Sequence, residues 1–234
     1  MTESIAAPVP SWKMIYLAKR NPKLAPTEFA QAWREHSALG KECRNVQDKV
    51  LGVKQCTSVL SMGLANALSG IHADADGVNL LQIRDLQVAS DIWHDPETQA
   101  IMKPDELRVF DRYVRDFTMV AQENVLVAGA PGQAVLVGFL RQVHAGHESN
   151  LRKALSDFSD WNFGQRLVMN WVQEGQPEGY NFDAIVEWWF EDTNQLIERL
   201  SPTAVQIQLQ TALDNLCHLQ SSVFMATQVT HQRP

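Results

Sequence analysis

Apolar residues run almost unbroken from Met14 into Lys19 and stop at Asn21-Pro22, a pattern that predicts a short buried strand followed by a turn. Beyond the turn the apolar spacing opens to a helical period. Phe29, Trp33 and His36 fall at i, i+4 and i+7, so a helix is expected from Thr27 to about Leu39, with Thr27 as its cap and Glu28 complementing its dipole. Strands are then expected over Val53 to Ser61 and Val78 to Arg84, separated by a loop carrying Gly63, Gly70 and His72. Leu86 to Trp93 reads as helix, His94-Asp95-Pro96 breaks it, a second helix covers Pro104 to Val114, and Phe117 to Val127 closes the unit as a strand. The order is β-α-β-β-α-β with one extra helix, the ferredoxin-like split βαβ arrangement.

Gly129-Ala130-Pro131-Gly132 punctuates the chain as a linker, and the pattern then starts again. Strand Val135 to Arg141 leads to helix Glu148 to Phe158 and strand Arg166 to Gln173. Strand Phe182 to Phe190 precedes helices Thr193 to Leu200 and Thr203 to Leu216, and strand Ser222 to Thr230 ends the series. The strands echo one another across the two halves: Met14 to Arg20 with Val135 to Arg141, Asp76 to Leu81 with Asp183 to Trp189, and Thr118 to Gln122 with Phe224 to Gln228. A repeat of roughly a hundred residues is too long for a solenoid unit and implies a duplicated domain. The expected organisation is a mobile lead-in over residues 1–12, one unit over 13–128, a linker over 129–134 and a diverged unit over 135–234. The fold class is α+β: two ferredoxin-like sheets, each apolar on the face its helices leave bare, cover one another as an α/β barrel within one chain. Trp188 and Trp189 fit this picture, because neighbours on a strand point to opposite faces and two large rings in a row suggest burial on both. The alternative is one Trp exposed at an edge.

Composition narrows the function. The chain has 234 residues, 45% hydrophobic and 20% charged, enough for a sizeable core in one large or two small domains. A formal charge of −7, with Lys19-Arg20 the densest basic pair, argues against nucleic acid as a partner. Met1 to Trp12 has no basic region followed by an apolar core, and no apolar run approaches the ~18 residues of a membrane span. Cys43, Cys56 and Cys217 are unpaired by spacing, as in a reducing compartment. A soluble cytoplasmic protein is the expectation.

The first half resembles the EthD-like branch of the dimeric α/β-barrel superfamily. The residues that carry the likeness are the strand ending Lys19-Arg20, Pro22-x-Leu24-x-Pro26-x-Glu28-Phe29 leading into the helix, and Trp33-Arg34-Glu35-His36 within it. They continue with Asp76-Gly77-Val78, His94-Asp95-Pro96-Glu97, and Asp105-Glu106 before Phe110. The likeness spans about Trp12 to Val127. The second half keeps the strands but not this helix signature: Leu151 stands opposite Phe29, Leu155 opposite Trp33 and Phe158 opposite His36. The resemblance implies a small, usually cofactor-free protein that acts on aromatic or polyketide-like molecules as a cyclase, isomerase or lyase, or that accompanies oxidative degradation.

His36 is the strongest candidate for chemistry. It shares a helix face with Phe29 and Trp33, so it looks toward the sheet, and imidazole suits proton transfer near neutral pH. A lone His on such a face is also commonly a hydrogen-bonded core residue. Phe158 could not do the same work, which puts one active site in the first half. Trp33 and Trp93 would line an aromatic-binding cavity, His94 would stand at its helix end, and Tyr16 would present a hydroxyl from the strand face shared with Met14 and Ala18; plain core packing is the competing reading for each aromatic. His144-Ala-Gly-His147-Glu148 has the wrong register for a zinc-protease string, and His218 is a weak axial ligand for the haem that some double-repeat relatives bind. Neither a phosphate loop nor a nucleophile elbow is present. No metal and no cofactor are therefore expected, and the partner is a small hydrophobic or aromatic molecule, with a homodimer of the two-repeat chain possible. A non-catalytic binder or scaffold is the second hypothesis.

Overall fold

Eight strands close into one antiparallel barrel, in the order β1-β3-β2-β8-β5-β7-β6-β4. They are β1 (Ser11–Ala18), β2 (Val50–Ser58), β3 (Gly77–Ile83), β4 (Thr118–Val127), β5 (Ala134–Leu140), β6 (Arg166–Val172), β7 (Ala184–Phe190) and β8 (Val223–Arg233). The computed structural model describes residues 10–59, 74–142, 148–159 and 163–234, the side chains of Phe158 and Ser159 excepted. Read around the barrel, β4-β1-β3-β2 is followed by β8-β5-β7-β6, the same order in each half of the chain. The halves meet at two antiparallel seams, β2 with β8 and β4 with β6.

Alternation along each strand divides its side chains between two cores. Ile15, Val78, Leu80, Met119, Val137, Ile185 and Met225 fill the barrel interior. The outward faces are covered by eight α-helices among the described residues: α1 (Pro26–Leu39), α2 (Arg44–Lys49), α3 (Gln87–His94), α4 (Pro96–Ile101), α5 (Lys103–Val109), α6 (Glu148–Ser159), α7 (Thr193–Leu200) and α8 (Thr203–Asp214). Strand β7 is buried along its whole length, with Trp188 in the outer core and Trp189 in the interior. The paired tryptophans thus report a strand covered on both faces.

A cluster of three charged side chains, Lys13, Glu123 and Glu187, sits inside the barrel. Lys13 Nζ donates to Glu187 Oε1 at 2.6 Å and pairs with Glu123 Oε2 at 2.5 Å. Asn170 Nδ2 donates to Glu187 Oε1 at 2.8 Å and Trp189 Nε1 to Glu187 Oε2 at 2.9 Å. Each carboxylate oxygen of Glu187 is therefore satisfied, as a buried charge requires.

Several local expectations change. Thr27 does not cap α1; Ala25 is the capping residue, Pro26 starts the helix, and the Glu28 carboxylate reaches back to accept the Ala25 N–H at 2.8 Å. The helix expected from Pro104 to Val114 ends at Val109, because Phe110 turns extended to bridge with Arg20 while the Glu106 carboxylate accepts the Val114 N–H at 2.8 Å. Helices α2 and α4 were not expected. The last helix ends at Asp214, short of the expected Leu216, and Cys217 lies beyond it in a bridge to Gln142. The Gly63, Gly70 and His72 loop lies outside the described residues. Cys43, Cys56 and Cys217 are buried and free. No helix among the described residues is long and apolar enough to cross a membrane.

Gly77, the first residue of β3, is needed for its closeness to neighbours. A Cβ there would stand 2.5 Å from the Cys56 carbonyl oxygen and 2.7 Å from the Trp33 ring. Gly77→Ala is expected to destabilise the fold by roughly 1–3 kcal/mol, as overpacking does, seen as a lower denaturant midpoint at unchanged slope.

Candidate functional site

A cavity lies between the outer face of β1, β2 and β3 and helices α1, α3, α4 and α5. The centre of a water-sized sphere can occupy about 70 Å³ of it, and all its empty space, open solvent at the mouth included, comes to about 640 Å³. Tyr16 and Met14 line it from β1, Gln55 and Val53 from β2, and Asn79 and Leu81 from β3; the helices add His36, Ser37, Trp93, Thr98 and Glu106, and β8 adds Arg233. Most of the wall is apolar, and the polar groups that β4, β1, β3 and β2 contribute stand in one row. Thr118 is the cross-strand partner of Tyr16, Tyr16 of Asn79, and Asn79 of Gln55.

His36 is 5% exposed and sits on the cavity wall near the end of α1. Its Nδ1 lies 3.0 Å from Asp105 Oδ2, and its ring meets Phe110 edge-on at 5.5 Å. Arg108 Nε in turn donates to Asp105 Oδ1 at 2.5 Å, and Arg108 also reaches Glu35 at 3.2 Å. The His36 hydrogen bond, followed by Arg108, holds the Asp105 carboxyl well below its usual range. An ionised carboxylate on Nδ1 fixes the ring tautomer with its proton there and leaves Nε2 as the basic nitrogen.

Three more titratable groups share the wall. Burial pushes the Tyr16 hydroxyl far up, so it stays protonated; its oxygen accepts the Trp33 Nε1–H at 3.3 Å, and its own proton has no acceptor among the described residues. Glu106 is buried, and desolvation raises its carboxyl against the pull of the Val114 N–H and the His36 charge. Arg233 Nε lies 3.4 Å from Ser37 Oγ, and no carboxylate pairs with its guanidinium among the described residues. Burial lowers its pKa.

The structure thus brings His36, Tyr16 and Trp93 to one cavity. Trp33 is elsewhere: wholly buried, stacked on Phe29 at 5.0 Å, it supports Tyr16 from behind and does not line the space. His94 faces a separate, open groove beside Trp93, its Nδ1 2.9 Å from the Ser90 carbonyl oxygen. Asp105, Glu106, Gln55, Asn79 and Arg233 were not singled out as site residues by the sequence. A usable signal existed for Asn79 and Gln55, since Asn is depleted in strands and both interrupt apolar runs.

The equivalent side of the second half holds an apolar cluster. Leu151, Leu155, Leu196, Leu209 and Leu213 pack with Trp188 against the sheet, and no histidine faces it among the described residues. His218 is exposed in the turn after α8. An exposed His218 does not fit an axial haem ligand. His144 and His147 lie outside the described residues; Glu148 opens α6. No cluster of three potential metal ligands occurs among the described residues.

No protein-family profile matches the chain, and no curated protein matches it. Solved structures do. An anthrone oxidase-like protein superposes with a TM-score of 0.62 at 10% identity, over 96% of this chain and 92% of that one. A protein of Lactobacillus acidophilus NCFM, provisionally named a monooxygenase, gives 0.53 at 8% identity over 96% of each chain. A third, provisionally named a chlorite dismutase, gives 0.53 at 8% identity over 94% of this chain and 95% of that one. At such identities the likeness is one of fold: an α+β chain whose eight antiparallel strands close into one barrel.

Proposed function

We propose that this protein is an EthD-like enzyme, built from two fused ferredoxin-like halves, that moves a proton on a small hydrophobic, aromatic or polyketide-like molecule without a cofactor. The observation that carries this reading is the Asp105–His36 pair on the wall of an apolar cavity. His36 Nε2 takes a proton from the bound molecule while Asp105 steadies the imidazolium that forms. Arg233, a wall cation with no carboxylate of its own among the described residues, faces the anion left behind. Tyr16 and Glu106 are the two groups placed to return a proton elsewhere on the molecule. Isomerisation is such a pair of transfers; aldol cyclisation adds attack of the carbanion on a carbonyl carbon between them, and dehydration adds departure of the protonated hydroxyl as water. An auxiliary role in an oxidative pathway is the close variant, and the names given to the structural neighbours lean that way.

Hydrogen–deuterium exchange tests the reading without requiring the product to be identified. Phenols and aryl ketones are incubated with the protein in deuterium oxide, and NMR follows exchange of carbon-bound hydrogen at their acidic positions. Exchange that depends on His36 is expected for any molecule that seats correctly. Tight binding with no exchange above the buffer rate across the panel would leave the protein as a binder, the competing reading.

A further inference from the structure

Two acceptors in this cavity have nothing to accept. Gln55 and Asn79 are 2% and 1% exposed, both line the space, and neither Gln55 Oε1 nor Asn79 Oδ1 has a hydrogen-bond partner among the described residues. For Gln55 the assignment of the amide is fixed, because Nε2 donates to the Trp33 carbonyl oxygen at 2.9 Å and the oxygen must therefore be the free end. Buried polar atoms are ordinarily paired, so two orphans side by side call for an explanation at the site itself. They are cross-strand partners on β2 and β3, which sets their Cβ atoms about 5 Å apart on one face of the sheet. The next residue in the row is Tyr16, whose proton is uncommitted.

We propose that Gln55 and Asn79 are specificity-determining residues that select a hydroxylated aromatic ring, two of whose hydroxyls, in a 1,3 relation, donate to Gln55 Oε1 and Asn79 Oδ1. The inference rests on the proposed function and says which molecules that site takes. A ring whose oxygens carry methyl groups in place of protons leaves both acceptors unpaired and crowds them, so it is rejected although its apolar surface is larger. The same seat places a ring hydroxyl beside Tyr16, which can donate to an oxygen one strand further along the row. The dyad supplies the base and the strand row supplies the recognition.

Calorimetry with three probes tests this: 1,3-dihydroxynaphthalene, 1,3-dimethoxynaphthalene and naphthalene, each against the wild-type protein, Gln55→Met and Asn79→Leu. The substitutions keep side-chain shape and remove the acceptor; Gln55→Met also removes the donor to the Trp33 carbonyl oxygen, so Asn79→Leu is the cleaner of the two. The diol is expected to bind wild type at least about ten-fold more tightly than the ether or the bare hydrocarbon, and that advantage should fall below about three-fold in either variant. Should a variant fail to fold, the wild-type ratio of diol to ether still decides. Equal binding of diol and ether to wild type, or an advantage that survives both substitutions, would overturn the selection by hydroxyls while leaving the His36 chemistry standing. Failure of all three probes to bind would count against the cavity as a ligand site, and so against both readings.

Discussion

On a substrate that seats in the first-half cavity, His36→Ala should lower turnover by roughly 10²–10⁴-fold, the range for loss of a general acid–base group, with the fold retained. His36→Phe is the sharper variant. The imidazole already packs edge-on against Phe110 at 5.5 Å, so another ring should fill the space without leaving a hole. Asp105→Asn keeps the spacing to Nδ1 but loses the charge that fixes the tautomer, so it should lower kcat with little change in KM, and Asp105→Glu should recover part of the loss. The same substitution has a signature in stability. Because the folded state holds the Asp105 carboxyl below its usual range, that group stabilises the fold above the ordinary carboxylate range, and the contribution disappears as pH falls. Asp105→Asn should therefore flatten part of the acid limb of the stability profile. Full activity in His36→Phe would move the chemistry away from this cavity.

The second large effect is expected inside the barrel. Lys13→Met should cost about 3–5 kcal/mol, because it strands Glu187 and Glu123 without their cation in an apolar interior. For a chain of this size that is a fall in melting temperature of roughly 6–20 °C. The pH dependence follows from the group's surroundings. Burial alone would lower the Lys13 pKa, but Glu187 and Glu123 outweigh it and the net shift is upward from 10.5. Its stabilisation is thus complete below the ordinary lysine range and lost as pH rises through the folded value. Glu123 moves the other way: burial pushes it up, the attraction of Lys13 wins, and the net shift is downward from 4.5. That contribution is present above the carboxylate range and fades on acidification. Thermal melts across pH should show a plateau between these limits that Lys13→Met lowers throughout. A loss below about 1 kcal/mol, the level of an exposed pair, would contradict the buried geometry.

Most strands were legible as apolar runs between turn residues, although β2, with Lys54 and Gln55 at its middle, begins at Val50 and not at the expected Val53, and α7 and α8 were legible because their N-terminal boundaries carry Asp192 and Pro202. What the sequence hid was decided by tertiary contact. Helices α2 and α4 have 6 residues each, too few to show a helical period. Helix α5 stops where Phe110 finds Arg20, a partner far along the chain. His36 could be found from its spacing, but the Asp105 that orients it lies 69 residues away. Trp33 shows the limit of face patterns. Phe29, Trp33 and His36 share one stripe, yet only the last reaches the cavity, and nothing in the spacing separates a ring that packs from one that could touch a ligand.

The seam between β2 and β8 has a consequence for how the molecule can be divided. Cut free, residues 13–128 would keep His36, Asp105 and most of the cavity wall. They would also bare β2 and β4 as sticky edges, open to pairing with any passing strand, and they would lose the guanidinium of Arg233 from the wall. The half that carries no dyad thus closes the barrel of the half that does and lends Arg233 to its cavity wall. A graft or truncation that respects the apparent repeat would therefore split a single working part.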